Sequence, residues 1–461
     1  MMRLGIVILA AGQGTRMRSA LPKVIHPLAG KPLLGHVADC ARSLAPARLA
    51  VVYGHGGDQV RASVDATAID WVHQTEQLGT GHAVQQALPL MGGVDRLLVL
   101  YGDVPLITSE TLHTLVRAAG DRHLALLTVS LDDPTGYGRI VRDPAGRITR
   151  IVEHKDATPA ERDIKEVNTG MLVADRARLA TWLGRVGNAN AQGEYYLTDV
   201  IELAVAEGTE ISTVHPMSVS EVEGVNDRVQ LARLERVLQR SRADALMREG
   251  VTLRDPARFD LRGALVAGRD VEIDVNVVLE GEVELGDGVR IGPGSVIRNS
   301  RLGPRVVVLE HCVIEGARIG ADSRIGPFAR LRPEADLAEQ VHIGNFVEIK
   351  KSRVEQGSKI NHLSYVGDTS IGSRVNIGAG TITCNYDGAN KHRTVIGDDA
   401  FIGSDTQLVA PVRVGARATI GAGSTITRDT PEGKLTLTRV AQTTVEGWQR
   451  PKKRPPDPEQ R

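Results

Sequence analysis

The chain has 461 residues and carries 56 basic against 56 acidic side chains, so its formal net charge is zero. That balance removes the electrostatic case for nucleic acid or an anionic membrane as its main partner. Aromatic residues make up only 3% of the chain while glycines number 49, well above the ordinary share of ~7%, which points to cores of Val, Ile, Leu and Ala in parallel sheet or stacked β-coils.

At ~150 residues per domain, the length suits two large units or three smaller ones. Cys40, Cys312 and Cys384 lie far apart, which excludes a disulfide framework and a C-x-x-C metal pair and suits a reducing, cytoplasmic setting. No apolar stretch approaches the ~18 residues of a membrane span. The run from Met1 to Ala11 mimics a short signal peptide, but it feeds straight into a Gly-rich loop and reads as a buried first strand.

In chain order, the first ~225 residues alternate short apolar runs with helical stretches, as an α/β domain does. Strands are expected at Gly5–Ala10, Leu49–Tyr53, Leu97–Tyr101, Ala125–Val129 and Gly170–Val173. From Asp227 to Gly250 there is no proline, and apolar residues fall at Leu231, Leu234, Val237 and Leu238. This spacing predicts a helix, with Gly250 as its stop, forming an arm of ~33 Å that connects two domains. The expected division is 1–228, 229–249 and 250–461.

Beyond the arm, apolar residues recur every sixth position at Ile319, Ile325, Leu331, Leu337, Ile343 and Ile349. They do so again at Ile396, Ile402, Leu408, Val414, Ile420 and Ile426, and at Leu285, Ile291 and Ile297. A period of six belongs to neither a helix nor a simple strand. It marks the hexapeptide β-helix, whose apolar residue points into a narrow prism. The register breaks between Ile349 and Ile371 and between Thr383 and Ile396, and insertions are expected there as loops on the binding face. The Pro-rich basic tail after Arg450 reads as a disordered end.

Two constellations carry chemistry. In the first, Leu9-Ala10-Ala11-Gly12-Gln13-Gly14-Thr15-Arg16-Met17 follows the first strand and leads to Leu21-Pro22-Lys23. Glycines let backbone N–H groups approach phosphates, and Arg16 and Lys23 supply positive charge. A dinucleotide fingerprint fails because Met17 stands where a small residue belongs, and a P-loop fails for want of Gly-Lys-Ser/Thr. The string with Lys23 resembles the signature of sugar-1-phosphate nucleotidyltransferases. Gln74 to Ala83, with Gly79 and Thr80, is similar to that family's base-reading loop. Tyr101-Gly102-Asp103 places an acid at a strand end, where open α/β sheets bind ligands and metals. The resemblance implies sugar and metal contacts from Gly138, Glu153, Asn168 and Asn226. Singly each of these reads as a turn, a solvated acid or a strand cap; in this order they favour a site. Asp103 and Asn226 suit Mg²⁺, a hard cation taking oxygen ligands.

In the second constellation polar residues cluster about the register breaks: Arg332, Lys350, His362, Tyr365, Asn376 and the loop from Thr383 to Lys391. With these, the chain from Leu4 to about Arg450 resembles the bifunctional family of N-acetylglucosamine-1-phosphate uridylyltransferase/glucosamine-1-phosphate acetyltransferases. The resemblance implies a Rossmann-like nucleotidyltransferase domain followed by a left-handed parallel β-helix, assembled as a homotrimer. It also implies acetyl transfer from acetyl-CoA to glucosamine-1-phosphate, then uridylyl transfer from UTP, giving UDP-N-acetylglucosamine for cell-wall and lipopolysaccharide precursors. By the same resemblance His362 is the general base, and Arg332, Lys350, Tyr365 and Asn376 hold the sugar phosphate. Ala379 supplies an oxyanion N–H, and Asn385, Tyr386, Ser404, Ala422 and Arg439 line the acetyl-CoA site. Cys384 is rejected as a nucleophile, since no base stands beside it to activate it. The alternative is a single-function nucleotidyltransferase whose hexapeptide domain is a trimerisation scaffold.

Overall fold

The apolar opening run is a strand, Leu4–Ala10, every residue of which is buried in the computed structural model, which describes residues 2–54, 56–120, 124–439 and 441–451. It pairs in parallel with Arg48–Tyr53 on one side and Arg96–Tyr101 on the other. Burial on both faces is what a central parallel strand requires. Successive side chains go to opposite faces. Ile6 and Ile8 pack with Leu34 and Val37, whereas Val7 and Leu9 pack with Val84 and Ala87.

Across the sheet the order is Ile211–Val214, Leu124–Ser130, Glu166–Asp175, Arg96–Tyr101, Leu4–Ala10, Arg48–Tyr53 and Asp70–His73. All five expected strands are present, some longer than their apolar cores suggested. The sheet is mixed, because Glu166–Asp175 runs antiparallel to both neighbours. Its register shifts between Asn168 and Leu172, around Gly170 at φ 88°. Arg139–Arg142 and Ile148–Val152 form a ribbon attached to this strand. Both strands are short, and arginines at each end of the first and in the middle of the second interrupt their apolar runs.

The expected helix spans Arg228–Arg248, with Asp227 capping it by accepting from the Gln230 N–H at 2.8 Å. Gly250, at φ 101°, ends it with a conformation that favours glycine. Leu234 joins Met17, Leu28, Leu33 and Val225 in a small core. Buried Gln239 donates to the Leu261 carbonyl at 3.0 Å and accepts from the Leu261 N–H at 2.8 Å. By contact the chain divides into two units. The first runs to Glu249 and takes in Asp255–Ala264 and Val278–Gly281, while the second holds Gly250–Arg254, Leu265–Val277 and the chain from Glu282. The helix therefore belongs to the first unit.

The second unit is a parallel β-helix. Ile325, Ile343, Ile360, Ile377, Ile402 and Ile420 pair one above another on successive coils, and all are buried. One expectation is corrected here: nothing is inserted between Ile349 and Ile371. A coil of 17 residues, as from Ile343 to Ile360, has one side shorter than six, and Val354, Ile360 and Val366 carry the ladder through. The second break is a true insertion. From Ile377 to Ile402 the step is 25 residues, and the surplus leaves the coil between the strands Ile382–Cys384 and Thr394–Ile396. Within this loop His392 Nε2 lies 2.6 Å from Asp387 Oδ2. The basic tail from Lys452 onward lies outside the described residues.

Leu234 is fully buried. Leu234→Ala is expected to destabilise the first unit by about 2–5 kcal/mol, read as an earlier urea transition at Trp182, with the second unit's own transition unchanged.

Candidate active sites

At the carboxyl end of the first strand the chain turns through Gly12 and Gly14 into a short 3₁₀ turn, Thr15–Met17. Gly14 has φ 62°, and a Cβ there would collide with Lys23, so only glycine lets the lysine stem cross the loop. The Lys23 ammonium pairs with the Asp103 carboxylate and donates to Asn226 Oδ1 at 3.1 Å. Asp103 lies just beyond the strand Arg96–Tyr101, and its carbonyl accepts from the Val225 N–H at 2.8 Å. The Asn226 N–H donates to Gln230 Oε1 at 2.7 Å, fixing Asn226 just ahead of the helix. Three residues distant in sequence therefore meet at one point.

These groups open onto a cavity of about 510 Å³ lined by Leu9, Ala10, Ala11, Gly12, Lys23, Gln74, Gly79, Thr80, Tyr101 and Asp103. Buried Gln74 is aimed by its Nε2, 3.2 Å from the Gly79 carbonyl and 3.0 Å from His82 Nδ1. Thr80 Oγ1 accepts from the Leu197 N–H at 3.1 Å. Gly102 stands behind the wall, its N–H donating to the Leu9 carbonyl at 2.9 Å. Arg16 is exposed and is not among the lining residues. Gln77 and Glu194 also line the cavity. Gln77 stood within the segment expected to read a base, but Glu194 follows no motif. It arrives because Tyr195 is bonded to both Leu78 and Gly81, at 2.8 Å each.

Gly138, Glu153 and Asn168 come together on the mixed side of the sheet. The Asn168 N–H donates to the Gly138 carbonyl at 2.9 Å, and a Cβ on Gly138 would lie 3.3 Å from Glu153 Oε1. Burial pushes the Glu153 carboxyl up, against the Thr198 hydroxyl that donates to it at 3.0 Å. Burial, with Glu153 and Asp103 nearby, pushes the Tyr101 phenol up, so it remains neutral. A chain of acids and neutral donors therefore runs from Asp103 to Glu153.

Asp103 and Asn226 fit a hard divalent cation. One carboxylate and one amide oxygen already converge on a single positive group, Lys23 Nζ. Gly224 leaves room: a Cβ there would sit 3.5 Å from Asp103 Oδ2. Among the described residues no cluster of three or more His, Cys, Asp or Glu could hold a metal, so a cation at this pair draws its other ligands from phosphates and water.

In the β-helix, ladder hydrogen bonds set four predicted residues in one column. The carbonyls of His362, Ala379 and Ser404 accept from Gly380, Asp405 and Gly423 at 3.2, 2.7 and 2.8 Å. Ala422 follows on the next coil, its carbonyl accepting from Arg439 Nε at 3.3 Å. His362 Nδ1 lies 2.8 Å from Asn345 Oδ1. With that amide oxygen as acceptor, the ring proton sits on Nδ1, leaving a lone pair on Nε2. Asn345 precedes His362 in the same column, a partner that only stacking reveals.

The phosphate-binding candidates lie on stacked strands. Lys350 and Tyr365 follow from the strands Glu348–Lys350 and Tyr365–Gly367, which pair in register. Arg332 pairs with Glu348 at 2.9 Å. Asn376 stands beside Lys359 on another sheet of the β-helix. Lys391, from the inserted loop, lies within hydrogen-bonding reach of Lys350, and this contact, then its like charge, holds the Lys350 ammonium below the usual lysine range, with Arg332 adding to this. Crowded cations of this kind suit an anion. Asn385 Nδ2 is bonded to Asp368 Oδ2 at 2.6 Å within the wall, whereas Tyr386 is exposed on the loop.

Burial pushes the Cys40 and Cys312 thiols up to about 11 and raises that of Cys384. Because a raised thiol pKa removes the thiolate, all three are expected to react with a disulfide reagent at pH ~7.5 at least ~10-fold more slowly than free cysteine. A fast-reacting fraction in stopped-flow measurements would contradict this.

A profile of the MobA-like NTP transferase domain matches residues 6–167, and one of the bacterial transferase hexapeptide matches residues 268–299 and 393–428. The chain is 64% identical over 454 residues to the bifunctional protein GlmU of Ralstonia nicotianae, covering 98% of this chain and all of that one. It is 63% identical over 450 residues to that of Ralstonia pickettii, covering 98% and 99%. To that of Methylococcus capsulatus it is 62% identical over 448 residues, covering 97% of each.

Proposed function

Because the chain belongs to the GlmU family of bifunctional proteins, we infer that it makes UDP-N-acetylglucosamine in two transfers. The second unit acetylates glucosamine-1-phosphate from acetyl-CoA, and the first joins the product to UMP from UTP, releasing pyrophosphate. The nucleotidyl transfer is assigned to 1–228 and the acetyl transfer to the left-handed β-helix of 250–461, with 229–249 as the helical segment between them. The observation that carries the bifunctional reading is His362, whose Nδ1 lies 2.8 Å from Asn345 Oδ1 so that Nε2 is left with a lone pair, a poised base for which a bare scaffold has no use.

In acetyl transfer, Nε2 of His362 takes a proton from the glucosamine amine as nitrogen attacks the thioester, and coenzyme A leaves as the thiol. Positioned general bases of this kind contribute roughly 10²–10⁴-fold. Arg332, Lys350, Tyr365 and Asn376 hold the sugar phosphate, and Lys391 adds a further cation. The Ala379 N–H faces the oxyanion. Coils rise ~4.8 Å each, so the column from His362 to Ala422 suits an extended pantetheine arm, with Asn385, Tyr386 and Arg439 completing the acetyl-CoA site.

In uridylyl transfer, positioning and charge neutralisation dominate. Gln74, Gly79 and Thr80 seat the base, Leu9 to Gly12 the nucleotide, and Gly138, Glu153 and Asn168 the sugar. Lys23 holds the sugar phosphate for attack on the α-phosphorus, and Arg16 meets the departing pyrophosphate. Asp103 and Asn226 would hold Mg²⁺, which when bound neutralises phosphate charge.

Self-association as a homotrimer is supported by the hexapeptide repeats and by an exposed apolar corner. His311, Phe328 and Phe346 stack there at centroid spacings of 5.1 and 5.4 Å, and exposed Leu363 lies nearby. Three free cysteines support a cytoplasmic location. Among the described residues no helix is long and apolar enough to cross a membrane.

The decisive assay mixes the protein with acetyl-CoA and glucosamine-1-phosphate, without UTP, and follows free thiol. His362→Ala is expected to lower thiol release ~10²-fold or more while sparing uridylyl transfer, and Asp103→Ala to do the reverse. A folded protein that makes a UDP-sugar but releases no thiol would leave a single-function nucleotidyltransferase.

A further inference from the structure

The row of Gly138, Glu153 and Asn168 is built across three strands by one residue that lies behind it. Arg139 pairs antiparallel with Val152 on one side and Val167 on the other, so Gly138 falls opposite both Glu153 and Asn168. Arg139 is 1% exposed. Its guanidinium donates to the Tyr137 carbonyl and to the Arg162 carbonyl, from Nε at 3.4 Å and Nη2 at 3.3 Å. Nη2 also lies 3.3 Å from His154 Nδ1. None of these partners is a carboxylate. A guanidinium stays protonated in proteins, and burying one without a paired anion is costly. The acids that feel its charge are Asp133 and Glu153.

Glu153 is otherwise surrounded by groups that oppose its ionisation. Asp156 follows its own strand and Glu194 comes from the segment beside the cavity. Asp199, at the start of the helix Asp199–Ala206, is itself pushed up to about 6 by burial and by Glu153. Tyr101 and Tyr196 also feel the Glu153 charge. Against these stand the Thr198 hydroxyl and a single cation, Arg139.

We propose that Arg139 is a positioning residue for uridylyl transfer, clamping the Tyr137 and Arg162 carbonyls behind the sugar row and setting a buried positive charge beneath Glu153, which thereby meets the sugar's hydroxyl and amide hydrogens as a carboxylate acceptor. The inference rests on the assignment of the sugar phosphate to this row. A purely structural clamp needs the hydrogen bonds but not the charge, and this difference can be measured.

Arg139→Gln and Arg139→Lys are compared with the parent across pH ~5–9, using UTP and N-acetylglucosamine-1-phosphate. Arg139→Gln is expected to raise KM for the sugar phosphate ~10-fold and to leave KM for UTP within ~2-fold. Loss of the cation raises the Glu153 pKa further, so the acid limb of kcat/KM moves up by about one pH unit, and Arg139→Lys restores the limb. An unshifted urea transition of the first unit in the same preparation reports an intact fold. An unmoved limb, or equal losses of both KM values in the two variants, overturns the proposal. Should Arg139→Gln fail to fold, Glu153→Gln decides: loss of the acid limb supports the proposal and its persistence overturns it. Parent protein inert toward N-acetylglucosamine-1-phosphate overturns the underlying assignment before any variant is compared, which separates the two failures.

Discussion

Parallel pairing of buried strands is the constraint on which both units depend. In the first unit, Leu4–Ala10 is fixed between two parallel neighbours by apolar side chains on both faces. The carboxyl ends of these strands must then open together, and the glycine loop and Asp103 arrive side by side. In the second unit the pairing repeats coil on coil, so residues one coil apart are always neighbours. A parallel ladder converts sequence distance into adjacency without any contact between the functional side chains themselves.

Electrostatics then distinguishes the two sites. The chain has no net charge, yet each candidate site gathers cations. In the first, Lys23 spans Asp103 and Asn226, a cation held between the two oxygens assigned to the metal. In the second, Lys350 and Lys391 crowd one another, an arrangement stabilised once a phosphate lies between them. The acids follow the opposite rule. Glu153 and Asp199 are pushed up by burial, and the fully buried Arg139 is the cation that offsets this at Glu153.

Much of the fold was legible because burial imposes periodicity. The six-residue period marks the prism interior directly, and the five apolar strand runs mark the sheet. The supposed break between Ile349 and Ile371 misled because coils of both 17 and 18 residues occur, so a strict period of six slips by one while the ladder continues. Short polar strands such as Arg139–Arg142 escaped because one end of the ribbon faces solvent and its pattern carries no apolar alternation.

By itself the sequence determined the two architectures, the glycine loop with Lys23, the acid at a strand end and the histidine in the solenoid, since each is written in local spacing or in residue chemistry. Only the tertiary structure decided what those residues meet. Asn345 sets the His362 proton, Glu194 reaches the cavity through Tyr195, and Arg139 lies buried behind Glu153. Such partners are joined by hydrogen bonds and by fields acting through space. Neither has a period along the chain, so no local pattern announces them until the strands are paired.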